Sequence, residues 1–506
     1  MRTYEYSYRD ALVNGLRPDV RVQSHARYLA ECYGVKPSQF GLIKPDVITF
    51  PIEGYTAGGY SQFIDGDSPF LFDYADSVCK LYTVSSTYTL SSDLLSSGKL
   101  QDAYDKVAAV SILATNNHVF DRIEVDTFFI MTNSDSCIID TGLHGEKVAI
   151  NHSTNKIPSS VCKVGKQLIF GGFNGAATYW TGAGQIGTSL WAQLRQYGEG
   201  FRTTYLDDKT LVYGRQDSLA GDYPFTPEVI LLTGYQFSTY QEAIKAFIRS
   251  GAIGARQIPW EGGILRVKEL GRYAVVYGDK GIGIFDGASS TITQVADFGL
   301  ANRDAIAGDA GSHVFLNNKG ELWKFNGDLS KVKLGYEEYL GSMLTAKLCY
   351  AGSDGDWYIT GSNCYSYTNE GKFYQSYYKP TSLLTSGADL YGVATVGSAG
   401  AYFKTHETGF RRRAHKRINA IELQQSGCTN LVGTIYARVG STTYSLGEIR
   451  FNQEDVGWAI CSGTDFQFKI ACDISTLGTI DDIQIKWQSS DGRTVRGLVE
   501  APNEQG

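Results

Sequence analysis

The sequence predicts an all-β fold: an irregular β-propeller, a separate C-terminal β-sandwich, and few helices. Three observations carry this. A hairpin-like unit recurs at a spacing of 40 to 42 residues, as from Phe285 to Phe325 and from Phe325 to Tyr367. The 506 residues include 57 Gly and 33 Tyr, many in alternating or turn-flanked stretches, which suits strands joined by many tight turns. After residue 410 the pattern changes to longer, cleaner alternation of apolar and polar residues.

The repeating unit is clearest in GSHVFLNNKGELWKFNG (311–327). Val314, Phe315 and Leu316 form an apolar run, Asn317 to Gly320 supply a turn, and Leu322, Trp323 and Phe325 resume the strand. Asn-Gly and Lys-Gly sit where the chain must take positive φ, so the unit reads as a hairpin. The same grammar appears at 272–287, 356–371, 128–142 and 168–182, and Asp140 to Trp180 is again 40 residues. A hairpin cannot bury its face alone, and a recurrence near forty residues is the mark of propeller blades that cover one another. The gap from 182 to 272 has room for a sixth blade and part of a seventh. A large β-sandwich with regular hairpins would place its strands at shorter spacing.

Three regions follow. Residues 1–60 carry Pro18, Pro37, Pro45 and Pro51; they read as an extended arm with one helical turn around Ala26–Cys32, docking on another subunit or adding strands to the chain's own core. Residues 61–410 hold the propeller with insertions. One helix is signalled there by the capping box Ser238 to Gln241, the apolar face Ala243, Ile244, Phe247 and Ile248, and Gly251 as a stop; a second runs from about Gln101 to Val110. Residues 411–506 form the sandwich, with alternation through Leu431–Val439, Phe466–Ile474 and Ile483–Trp487.

No catalytic constellation, metal set or cofactor motif stands out. The seven histidines lack metal-ligand spacing, and there is no G-x-S-x-G, H-E-x-x-H or P-loop. The acidic doublets Asp65/Asp67, Asp207/Asp208, Asp354/Asp356 and Asp481/Asp482 read as turn residues at blade tips, since calcium loops need further oxygen ligands. The chain is therefore expected not to be an enzyme. Its sharpest feature is Arg411-Arg412-Arg413-Ala414-His415-Lys416-Arg417, the one basic run. Arg411, Arg412, Arg413, Lys416 and Arg417 are the candidate assembly contact, touching phosphate or an acidic partner; the other reading is a solvated strand edge where cations discourage pairing.

The net charge of −7 argues against gripping nucleic acid through a net basic surface. No apolar run spans a bilayer, and the N-terminus shows no signal-peptide core. Nine scattered cysteines without C-x-x-C spacing suggest reduced thiols made in a cytoplasm.

The order of parts, a proline-containing arm, a degenerate propeller, an Arg-rich crossing into a sandwich, and the finish Trp487, Gly492-Arg493, Val495-Arg496-Gly497, resembles the tail nozzle (tubular tail, head-to-tail stabilisation) proteins of short-tailed bacteriophages. The resemblance implies a structural virion protein of the tail, made in the host cytoplasm. Copies, typically six, would form a ring that meets portal or adaptor and tail fibre proteins. The lumen would retain and conduct double-stranded DNA without reading its sequence. It implies no catalytic residues. The alternative is a receptor-binding or glycan-degrading propeller on a virion surface.

Overall fold

A computed structural model describes residues 3–19, 27–49 and, apart from 353–354, 387–388, 399, 411–414 and 440, residues 253–490; between 60 and 232 it describes the strands and little else. The described chain is almost entirely strand. Its α-helices are Arg9–Asn14 and Glu337–Leu340, and no described helix is long and apolar enough to cross a membrane. The helices expected at 238–251 and 101–110 lie outside the described residues.

Among the described residues, and besides a two-stranded pair of Thr188–Ser189 with Leu231–Leu232, seven small antiparallel sheets follow one another along the chain, within 60–83, 121–151, 158–257, 264–296, 306–335, 347–375 and 378–396. The second, fourth, fifth and sixth are four-stranded meanders. The hairpins read at 128–142, 272–287, 311–327 and 356–371 are their central strand pairs, with registers such as Val275↔Ile284 and Phe315↔Trp323. Gly320, at φ 79°, makes the turn of the 311–327 hairpin, a conformation open to residues without a Cβ.

Burial explains why these strands are short apolar runs and not alternating ones. In Tyr273–Gly278, Ala274 and Val276 enter a core shared with the third sheet, whereas Val275 and Tyr277 enter a core shared with the fifth. In Ser312–Leu316, Phe315 faces back to the fourth sheet while Val314 and Leu316 face the sixth. Trp357 and Ile359 join that same core, and Tyr358 turns to the seventh sheet. Successive side chains point to opposite faces; when both faces are covered by neighbours, apolar residues occupy consecutive positions, and a buried polar one such as His313 needs a partner. Each consecutive pair from the third sheet to the seventh thus shares a core, and strand Tyr378–Ser386 of the seventh packs on Tyr60–Ile64 of the first. This stacking of like sheets, first against last, is propeller architecture.

The hairpin expected at 168–182 is different. Strand Gln167–Phe173 pairs on one side with Pro158–Val164 and on the other with Thr210–Arg215. Both edges are occupied, so the return strand comes from 210–215, with Ile253–Gln257 beyond it. Within 182–272 the described strands Thr210–Arg215 and Ile253–Gln257 complete the third sheet, Thr188–Ser189 pairs with Leu231–Leu232 in a two-stranded sheet, and Ile264–Leu270 opens the fourth; the rest of the expected sixth and seventh blades lies outside the described residues. Trp180, the end of the forty-residue step from Asp140, lies outside the described residues.

The C-terminal region is a two-sheet sandwich. One sheet has the order Lys36–Ser38, Gly41–Ile43, Thr479–Ser489, Lys416–Ser426, Val456–Gly463, with Thr3–Ser7 also on Thr479–Ser489. The other holds Gly400–Thr405, Asp465–Asp473, Val432–Val439 and Thr442–Arg450. Strand Gly400–Thr405 precedes residue 411, so the sandwich begins about ten residues before the composition shift. Nor is it fully separate: Leu29–Tyr33 pairs with Gly400–Thr405 on one edge and with Phe373–Gln375 of the sixth blade on the other, giving one nine-stranded sheet. One apolar core runs from Leu316 and Trp357 through Leu12, Leu29 and Phe403 to Phe468 and Ile485.

Candidate assembly site at the propeller–sandwich seam

Residues 3–19 and 27–49 build the seam. They add strands to the chain's own core, and the helical turn expected near Ala26–Cys32 is instead strand Leu29–Tyr33. That segment has sheet edges on both sides, which satisfy its backbone groups better than an isolated helical turn can. A further piece, Ile48–Thr49, lies parallel to Asp389–Val396 and adds a strand to the seventh sheet.

Two carboxylates fasten this segment. Asp482, buried in Thr479–Ser489, accepts from the Ser7 hydroxyl at 2.8 Å and from the Tyr8 amide at 3.1 Å, at the start of helix Arg9–Asn14. Asp356, 2 % exposed, opens a strand of the sixth blade and meets Lys36 Nζ at 2.6 Å; Asp46 meets the same ammonium at 2.6 Å. The Asn369 amide donates to Asp356 Oδ1 at 3.1 Å. Burial raises the Asp356 pKa against the pull of Lys36. Burial likewise opposes the Lys36 charge, but Asp356 and Asp46 together outweigh it and raise the Lys36 pKa. Asp356 and Asp482, expected at turns, both lie within strands and serve as buried acceptors for the N-terminal segment. Arg17 to Glu338, at 3.0 Å, and Lys404 to Glu31, at 3.2 Å, add pairs between the arm and its surroundings.

The crossing into the sandwich is pinned on both sides of the basic run. Upstream, Thr408 and Phe466 exchange backbone hydrogen bonds of 2.9 and 3.0 Å. The buried Phe410 ring stacks with Phe466 at 5.7 Å and with Trp487 at 5.8 Å. Downstream, the His415 carbonyl accepts from the Ser490 amide at 2.9 Å. Arg411, Arg412 and Arg413 lie outside the described residues. Arg417 is exposed. Lys416, expected at a partner contact, is buried in the chain's own sandwich: its Nζ donates to the Thr464 carbonyl at 2.7 Å and lies 6.0 Å from the Trp487 ring. Burial lowers its pKa. Alternation on Lys416–Ser426 turns residue 416 inward and 417 outward, so the two cations cannot share one surface.

Among the described residues no three His, Cys, Asp or Glu side chains gather at metal-binding distance. The seven cysteines with described side chains are free thiols, six of them buried. Missed by sequence reasoning were the Lys36–Asp46–Asp356 cluster and the Asp482 anchor. The one local signal was an acid next to a strand of aromatic and β-branched residues, as in Asp356-Trp-Tyr-Ile-Thr.

No family model matches this chain, and no curated protein matches it. Several solved structures are similar in part. A quinoprotein alcohol dehydrogenase-like protein from Bacteroides thetaiotaomicron aligns at 10% identity and TM-score 0.34, covering 64% of this chain and 66% of that one. The Pan2 WD40 domain of Neurospora crassa aligns at 10% identity and TM-score 0.30, covering 70% and 88%. The extracellular domain of a one-component system from B. thetaiotaomicron aligns at 9% identity and TM-score 0.38, covering 82% of this chain and 47% of that one. No functional assignment follows from likenesses of this order.

Proposed function

We propose that this chain is a non-enzymatic structural subunit of a short-tailed phage tail, which assembles with copies of itself, most simply six, into a nozzle ring that conducts double-stranded DNA. The observation that supports it best is the seam. Blade, arm and sandwich share one sheet and one core, which suits a wall element that must transmit force without hinging. Arg417, exposed at that seam, and Arg411, Arg412 and Arg413, which precede it in the sequence, are the proposed contact for a neighbouring subunit or an adaptor. With a net charge of −7, the lumen is expected to be more acidic than the outer face. Contacts that neutralise phosphate add affinity, and so friction, to a moving duplex.

The test is the assembly state of the purified chain, by mass photometry and electron microscopy, for wild type and for Arg411→Ser/Arg412→Ser/Arg413→Ser. The expected result is a ring with an open channel for wild type and folded, unassembled subunits for the variant. A wild-type monomer that cleaves glycans, with the cleavage abolished by one Asp or Glu substitution, would replace this reading with the glycan-degrading one. A variant that assembles normally but alters DNA release would place the arginines in the channel.

A further inference from the structure

Between the link 425–431 and the turn 450–455 the sandwich opens a cleft of about 560 Å³, within the size range of small-ligand sites. Its walls are fixed by the chain itself. Gln425 Nε2 donates to both Asp455 carboxylate oxygens at 3.0 Å, and Gln425 Oε1 accepts from the Cys428 amide at 2.8 Å. Asn452 Oδ1 accepts from the Glu454 and Val456 amides at 3.0 and 2.9 Å, closing the turn. The half-buried Phe451 ring lies over Gly433 and Gly457, where an added Cβ would come within 3.1 Å of it, and the ring lines the cleft.

Other groups on this lining are uncommitted. Arg450, Asn430 and Gln453 are exposed, and their side chains make no hydrogen bond or ion pair among the described residues. The lining has one guanidinium, one carboxylate already held by Gln425, several amides, one aromatic ring and no lysine. A phosphate site would gather more than one cation, and an apolar ligand would need mostly apolar walls. Planar amides and a guanidinium each present paired donors or a donor beside an acceptor, which match adjacent hydroxyls on a ring. An aromatic face covers the ring's C–H side. We propose that this cleft is a binding subsite for a short saccharide. Arg450, Asn430 and Gln453 contact its polar groups, Phe451 is the platform, and the Gln425–Asp455 pair is a positioning element. The inference is independent of ring assembly.

The full-length protein is probed by saturation-transfer NMR with lactose, maltotriose, chitotriose and sialyllactose at millimolar concentration. At least one is expected to bind saturably, and Arg450→Ala/Gln453→Ala should weaken it by about tenfold or more with an unchanged melting curve. Binding of sialyllactose alone, lost in the Arg450→Ala single variant, identifies an acidic sugar. Saturable binding of lactose, maltotriose or chitotriose, weakened by the double variant, identifies a neutral one. No saturable binding by any of the four overturns the proposal, as does binding that the double variant leaves unaltered.

Discussion

Lys36→Met isolates the fastening of the arm to the sixth blade. At 2.6 Å and an effective dielectric near 20, the Lys36–Asp356 attraction is about 6 kcal/mol before desolvation is counted. The net quantity is smaller, because both groups lost water on burial. Removing one side of such a pair typically costs about 3–5 kcal/mol, since the other charge stays buried without compensation. Asp46, with 36 % of its side chain exposed, can return to water and adds less than about 1 kcal/mol. The variant is therefore expected to lose roughly 3–5 kcal/mol near neutrality.

The loss must depend on pH, and its sign follows from Asp356. Its pKa is already raised by burial, and without Lys36 it rises further. A carboxyl with a raised folded pKa gives its stabilisation fully below the unfolded value, near 3.9, and loses it as pH climbs through the folded pKa. The deficit of Lys36→Met should thus be small near pH 4 and complete by neutrality, growing at up to about 1.4 kcal/mol per pH unit. Lys36→Met/Asp356→Asn, which leaves no charge to bury, should recover most of the loss and remove its pH dependence. Urea unfolding followed by tryptophan fluorescence reads the loss, with Trp357, buried beside Asp356 and 4.9 Å from the Tyr350 ring, among the seven tryptophans that report. A deficit under about 1 kcal/mol at neutrality, or one equal at both pH values, would refute the argument from desolvation.

Two further expectations test the stacked sheets. Phe315 is fully buried with ring contacts to Tyr277 at 5.4 Å and Phe325 at 6.1 Å; Phe315→Ala should cost about 3–5 kcal/mol in thermal or urea unfolding, and a loss under about 1 kcal/mol would mean that the fourth and fifth sheets do not share a core. His313, bonded through Nδ1 to the Tyr277 hydroxyl at 2.9 Å, has its pKa lowered to about 3, first by burial and then by Lys268. The unfolded state takes the proton first, so this site's stabilisation is complete above about pH 6.5 and falls as pH drops towards the folded value. His313→Gln should flatten the stability profile between about pH 6 and 4 relative to wild type, and identical profiles would show that the imidazole is not buried neutral.

What was legible in the sequence was local. A hairpin writes its turn and both strands within about fifteen residues, so 272–287, 311–327 and 356–371 read correctly. A distant pairing leaves no such trace. Nothing in Gln167–Phe173 says that its partner is Thr210–Arg215 and not the adjacent segment, because that choice depends on which edge the rest of the sheet leaves free. The arm shows the same limit: Leu29–Tyr33 has a strand's role only because two sheets flank it. Buried carboxylates are hidden for another reason. Asp356 and Asp482 carry the letters of turn residues, and only the approach of Lys36 and of Ser7 converts them into internal acceptors. For the basic run, composition pointed to seven residues, but strand alternation divides Lys416 from Arg417.

The way the arm is woven in has a consequence for how the molecule forms and resists load. Strand Thr3–Ser7, near the start of the chain, pairs with Thr479–Ser489, near its end. Leu29–Tyr33 joins the sixth blade to the sandwich, and the Leu16 and Gly34 amides donate to the Phe373 and Gln375 carbonyls at 2.9 Å. Thr3–Ser7 therefore cannot complete its pairing until Thr479–Ser489 has been made. Such contacts carry a large loop-closure cost and slow folding, which a fold with a self-contained sandwich would avoid. In return, blade and sandwich cannot swing apart without breaking ladder hydrogen bonds and opening a shared core. Rotation at a short loop would require neither. The seam is thus a place where this chain gives up folding speed for stiffness, and a protein whose task were to open and close between its two parts would be built the other way.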